Sequence, residues 1–160
     1  MANPFDFSSG AILTAAQLNS IGDFESFTPA WNSVTEGNAT NNGKFCQVNE
    51  LVFYQIFFDA GSTTSYSAGN ISLDISGSSL PAAVQDGAYT STGTGWVRPI
   101  GGTIWFVHNI VISSSQTILP YLLLAAGSLG YSHVSSISNA RPTTWDTSGE
   151  MYLQGFYRAA

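Results

Sequence analysis

From residue 24 onward, apolar residues recur mainly at every second position, which is the period of a half-buried β-strand. The pattern is cleanest in Asn70–Ile75, where Ile71, Leu73 and Ile75 fall on one face. Lys44–Val48 and Leu51–Asp59 read as a hairpin, with Asn49-Glu50 as a two-residue turn. The run Leu51–Phe58 is rich in aromatic and branched residues, as a central strand should be. Phe24–Trp31 also has an extended pattern, followed by a polar loop at Thr35–Gly43 and a second at Gly61–Gly69. Leu80-Pro81 closes the Asn70–Ile75 strand, because proline cannot donate to a ladder. Further strands are predicted at Gly87–Thr92, Gly95–Arg98, Thr103–Ile112 and Thr117–Leu124. Ala125–Ala140 fits either a long loop or a short helix. After a turn at Asp146–Gly149, Glu150–Arg158 forms a final strand with apolar residues on both faces, which predicts a strand covered on both sides. Short strands at this spacing, separated by Gly and Ser turns, predict an all-β fold, a β-sandwich of jelly-roll type.

The first 22 residues follow a different rule. Thr14 and Gln17 stand at capping-box spacing, and Leu13 and Leu18 occupy the two positions of a hydrophobic staple. Gly22 suits the residue just past the helix end. The predicted helix is only about two turns long, too short to persist alone in water. It needs a surface, either its own domain or another chain. Phe5, Phe7 and Ile12 upstream and Ile21 downstream add apolar contacts to that docking. The chain therefore divides into an N-terminal arm with a short helix, residues 1–22, and a β-sandwich domain, residues 23–160.

Composition sharpens this picture. Charged residues make up 9% of the 160, against about 25% in an ordinary soluble domain. The only cations are Lys44, Arg98, Arg141 and Arg158, and net charge is −6. Four scattered cations supply no basic footprint for nucleic acid. An acidic chain without a basic amphipathic face does not suit anionic lipid. The most apolar stretch, Ile118–Leu129, contains Pro120 and falls short of a membrane span. Residues 1–10 carry neither the basic residue nor the apolar run of a secretory signal. A surface built from Ser, Thr, Asn, Gln and Gly desolvates cheaply, which suits packing against identical copies or a larger assembly.

Chemistry-bearing residues are sparse. Cys46 lies in an alternating apolar stretch and reads as a buried, inert thiol. His108 sits within a predicted strand as a hydrogen-bonded structural histidine. His133 is placed to pair with His108 only across an assembly axis. Asp59 and Asp74 do not form the sequence-local carboxylate cluster that calcium needs. Asp23 and Glu25 read as solvated linker charges. Gly93-Thr-Gly95 and Gly101-Gly102 precede strands, so no helix N-terminus awaits a phosphate. Asn38-Ala-Thr40 and Asn70-Ile-Ser72 match the glycosylation pattern, a frequent chance match. No catalytic, metal-binding or cofactor-binding residue is nominated. The aromatics are the remaining candidates. Trp96 and Trp105, on predicted strands, read as core or subunit interface. Trp145, beside a turn, is the tryptophan expected to be exposed and to contact a ligand.

Two groups of segments carry a resemblance. Gly10–Asn19, reading GAILTAAQLN, is followed by Phe27-Thr-Pro-Ala-Trp31. Gly43–Gln55, reading GKFCQVNELVFYQ, is followed by Leu80-Pro81 and by Leu153-Gln-Gly-Phe-Tyr157. This order resembles small virion surface proteins of tailed bacteriophages, in which a short arm precedes a β-sandwich domain. Asn49 stands where that family often has Gly; Asn tolerates the same left-handed backbone. The resemblance implies a non-enzymatic structural protein of the virion, made in the host cytoplasm and usually homotrimeric. Its arm, through Phe5, Phe7, Ile12, Leu13, Leu18 and Ile21, would anchor it to capsid, tail or fibre components. The β domain would act as a fibre-like or tail-associated host-adhesion component, with a host surface glycan as ligand. The alternative is a capsid decoration protein that coats or stabilises the head. No cofactor is implied.

Overall fold

The period-two pattern folds into twelve β-strands among the described residues. In chain order they are β1 (Glu25–Phe27), β2 (Ala30–Asn32), β3 (Val34–Thr35), β4 (Thr40–Val48), β5 (Leu51–Asp59), β6 (Ser65–Tyr66), β7 (Ser72–Asp74), β8 (Thr90–Arg98), β9 (Trp105–Ser114), β10 (Thr117–Ala126), β11 (Tyr131–Ser136) and β12 (Glu150–Arg158). The structure is a computed structural model that describes residues 22–76, 78–84, 90–114, 117–126 and 131–160, with the side chains of 90–91, 123–126 and 131–134 left aside. The arm and its expected helix, residues 1–21, lie outside the described residues.

The β4–β5 hairpin forms as its sequence dictates. Asn49 adopts φ 55°, the left-handed conformation that a tight hairpin turn requires and that asparagine tolerates. The register runs from Val48 opposite Leu51 to Thr40 opposite Asp59. β4 is therefore longer than its apolar residues indicate. Thr40–Gly43, expected in a polar loop, is held extended by pairing with Ile56–Asp59. Gly43 lies beneath the ring of Phe27, which fills the space a side chain there would need.

Ten strands make one antiparallel sheet in the order β1-β4-β5-β12-β8-β9-β10-β7-β2, with β11 also paired to β10. The short β3 and β6 pair with each other. The two ends of this path, β1 and β2, are separated in sequence only by Thr28 and Pro29. So short a connection forces the sheet to curl until its ends meet. Trp31 on β2 packs edge-on against Phe58 on β5, with ring centroids 5.8 Å apart. The fold is thus an all-β, curled antiparallel sheet, with no helix among the described residues.

The concave side holds the core. Val52, Tyr54, Ile56 and Phe58 of β5 point inward, as do Met151, Leu153 and Tyr157 of β12, Ile110 of β9 and Ile118 and Leu122 of β10. Ile71, Leu73 and Ile75 are all buried, as their alternation predicts. Each large apolar side chain buried in this way contributes about 1.5–3 kcal/mol. One polar path crosses the core: Tyr54 Oη lies 3.3 Å from Thr92 Oγ1, which donates to the carbonyl of Ile110 at 3.1 Å.

Two further expectations are corrected. The strands predicted at Gly87–Thr92 and Gly95–Arg98 are, over the described residues, one strand, β8. β8 runs through Gly93 and Gly95, where β12 approaches so closely that a methyl group would strike the Gln154 or Tyr152 carbonyl. The Ala125–Ala140 stretch, expected as loop or helix, contains strand β11, held by six residue pairs to β10. Pro120 lies inside β10 at the point where that strand changes neighbour, between the β7 pairs at Thr117–Ile118 and the β11 pairs that begin at Tyr121. A residue without an N–H is tolerated at such a gap.

Candidate functional site

The convex face of the same sheet is the candidate site. Because β5, β12, β8 and β9 are neighbours, residues at matching registers form rows across them. Phe57, Tyr152, Trp96 and Phe106 stand in direct register across the four strands. Trp96 stacks on Tyr152 with centroids 6.3 Å apart and planes at 22°. Two residues along each strand, about 7 Å away, lies a polar row of Lys44, Gln55, Gln154 and Thr94. The Tyr152 hydroxyl donates to Gln154 Oε1 at 3.0 Å, tying the two rows together. The next row is apolar again: Cys46, Phe53 and Phe156, with the Phe53 and Phe156 rings 6.2 Å apart.

This face is open. Phe106 is 77% exposed, Phe156 55% and Phe53 38%. Between Phe24, Phe53 and Phe156 on one side and Gln55, Thr94 and Gln154 on the other runs a groove of about 610 Å³. Backbone at Gly93 and Gly155 also lines it. An apolar groove with a few convergent polar groups has the general character of a recognition site.

Charge on the face is low. Lys44 is the one charged residue in the three rows. Arg98 and Glu150, cross-strand partners beyond the Trp96–Tyr152 pair, form an ion pair with each other. The Cys46 thiol is buried, and burial pushes its pKa up, so it is a poor nucleophile.

The nominated residues fall elsewhere. Trp145, expected to be exposed and to contact a ligand, is 5% exposed. Its ring packs 5.3 Å from that of Tyr66, and its indole N–H donates to the Arg141 carbonyl at 3.2 Å. The turn beside it folds over the core, so Trp145 offers no surface to a ligand. Phe5, Phe7, Ile12, Leu13, Leu18 and Ile21 lie outside the described residues. Trp96 is half-buried on the convex face, and Trp105 packs against the core with its indole N–H buried and without a hydrogen-bond partner. His108 lies exposed on β9, and the side chain of His133 is outside the description. Hydrogen bonds from the Ser76 hydroxyl and from its backbone N–H, the latter at 2.8 Å, hold the Asp74 carboxyl below its usual pKa. Asp23 and Glu25 are solvated. Among the described residues, no three His, Cys, Asp or Glu side chains gather into a potential metal site. No helix among them is long and apolar enough to cross a membrane.

The convex face was missed although its signal stood in the sequence. The two-sided apolarity of β12 predicts a strand covered on both sides; the structure covers only the side bearing Met151, Leu153 and Tyr157. Comparison with protein-family models, curated proteins and solved structures returned no match.

Proposed function

We propose that this chain is a non-enzymatic structural component of a tailed-phage virion surface, acting as a fibre-like or tail-associated host-adhesion protein. On this reading the curled sheet is a jelly-roll-like sandwich, the protein is a homotrimer, and residues 1–22 anchor it to other virion proteins. The motif resemblance of the arm and of the β4–β5 hairpin supports the virion setting. The observation that carries a recognition role is the open face, with Phe53 and Phe156 exposed side by side and Phe106 exposed beyond the polar row. Exposed apolar surface rimmed by polar residues marks an interaction site. Its low charge and dispersed carboxylates suit contact better than acid–base catalysis.

A decoration role on the head is the second reading, favoured by the same face, which a neighbouring capsid subunit would cover. Copy number per particle separates the two. Mass spectrometry of purified virions expects a few trimers per particle for adhesion and an abundance near that of the major capsid protein for decoration. Deleting residues 1–22 tests anchoring: the truncated chain is expected to be lost from particles, and normal incorporation would rule the arm out as the anchor.

A further inference from the structure

We infer that copies of this chain pack on one another through the convex face of β5, β12, β8 and β9, with Phe106 of one copy seated in the next copy's groove, between the touching Phe53 and Phe156 rings on one side and Gln55, Thr94 and Gln154 on the other. The inference rests on the assembly proposed above and gives it a surface and a mode of contact.

Two observations carry its geometry. Phe106 projects from β9, within a strand, and is the most exposed of the large apolar side chains among the described residues. The groove of about 610 Å³ lies on the same face but on other strands, walled by the two phenylalanines of β5 and β12. A projection and a recess at different places on one face make a heterologous contact, and repetition of such a contact closes a ring when the rotation allows.

The polar row fits the same occupant. Gln55, Gln154 and Thr94 each carry both a donor and an acceptor, so they can pair with the same groups on an identical chain. Charge fits as well. Two copies at −6 each repel, and they approach most easily where the surface is nearly neutral. On this face Lys44, Arg98 and Arg158 stand against Asp59 and Glu150, so its charges nearly balance. Depletion of charge with enrichment of aromatics is the composition of an interface centre. A neutral saccharide would use the rings and amides of the groove but would leave Phe106 with no role.

The test uses the full chain and two single substitutions, F106S and F156S, with I100S as a control at an exposed apolar residue in the β8–β9 connection. Light scattering after size exclusion, at micromolar concentration, is expected to give the wild type and I100S a multiple of the single-chain mass. F106S and F156S are expected at the single-chain mass, with wild-type circular dichroism. Mixing F106S with F156S restores one intact contact per pair, so a two-chain species is expected in the mixture alone. A wild type that stays at single-chain mass overturns the inference, as does a folded F106S or F156S that keeps the wild-type mass. Absence of the mixed species overturns the seating of Phe106 in the groove. A single-chain wild type that binds a neutral oligosaccharide, with binding lost in F156S, replaces self-packing with ligand recognition. Incorporation into particles is read separately, so a monomer that still incorporates refutes self-packing and leaves the virion reading standing.

Discussion

The indole N–H of Trp31 donates to Asn41 Oδ1 at 3.0 Å, and the Asn41 amide donates in turn to the Pro29 carbonyl at 2.7 Å. Trp31 stands on the last strand of the sheet path and Asn41 on the second. One asparagine therefore fastens the two ends of the curled sheet across the two-residue link that joins them.

Replacing Asn41 with alanine strands a buried indole donor and removes the donor to Pro29. Stability is expected to fall by about 1–3 kcal/mol. Thermal or denaturant unfolding checks this, with Asn42→Ala as a neighbour whose exposed side chain costs no more than about 0.5 kcal/mol.

Gly155 tolerates nothing larger. A methyl group there would meet the Thr92 carbonyl and, at 2.7 Å, the Tyr54 hydroxyl. Gly155→Ala is expected to destabilise by the upper end of about 1–3 kcal/mol or more. Gly101→Ala, whose nearest obstacle is Ser148 Oγ at 3.7 Å, is expected to be near neutral. Chemical unfolding of both variants makes the comparison.

Phe57 and Phe58 are adjacent in sequence and opposite in consequence. Phe58 is fully buried against Trp31, so Phe58→Ala is expected to cost about 3–5 kcal/mol. Phe57 sits on the convex face, and Phe57→Ala is expected to cost about 1 kcal/mol. Equal losses would mean that the two faces of β5 are equally covered.

Alkali should unfold the domain cooperatively. Burial holds the phenols of Tyr54, Tyr66 and Tyr157 above their ordinary value of 10.0; for Tyr66 the Asp146 and Asp59 carboxylates add to the effect, and for Tyr157 its neighbour Tyr54 does. Above that pH the unfolded chain releases these protons and the native one keeps them. The unfolded state then binds fewer protons, so stability falls as pH rises. It is fully present below pH 10.0 and declines above it. The expected record is a phenolate absorbance step that coincides with loss of near-ultraviolet circular dichroism. Independent titration of all the tyrosines before unfolding would contradict the burial.

The sequence made legible what depends on local rules. The hairpin turn at Asn49-Glu50, the inward set Ile71, Leu73 and Ile75, and the bounds of β12 all follow from turn chemistry and alternation. What it hid depends on neighbours. Gly93 and Gly95 look like a strand break until β12 is seen pressing on them. β11 is a strand because β10 offers it an edge. Trp145 sits next to turn residues, and only the packing of Tyr66 against it shows that it is buried. Of the convex face, the aromatic residues were visible; their alignment into rows required the order β5, β12, β8, β9, which no local pattern encodes.

The position of β12 has a consequence for how the domain comes into being. β12 lies between β5 and β8, so those two strands are joined only through it. A nascent chain can close its β4–β5 hairpin early, but β5 and β8 stay unjoined in the sheet until residues 150–158 have left the ribosome. Pairings that wait on such distant segments are slow, and they leave apolar surface uncovered meanwhile. A chain cut short before Glu150 would expose Tyr54, Ile56 and Phe58 to aggregation or proteolysis. The central placement of β12 thus makes completion of the single sheet depend on residues 150–158.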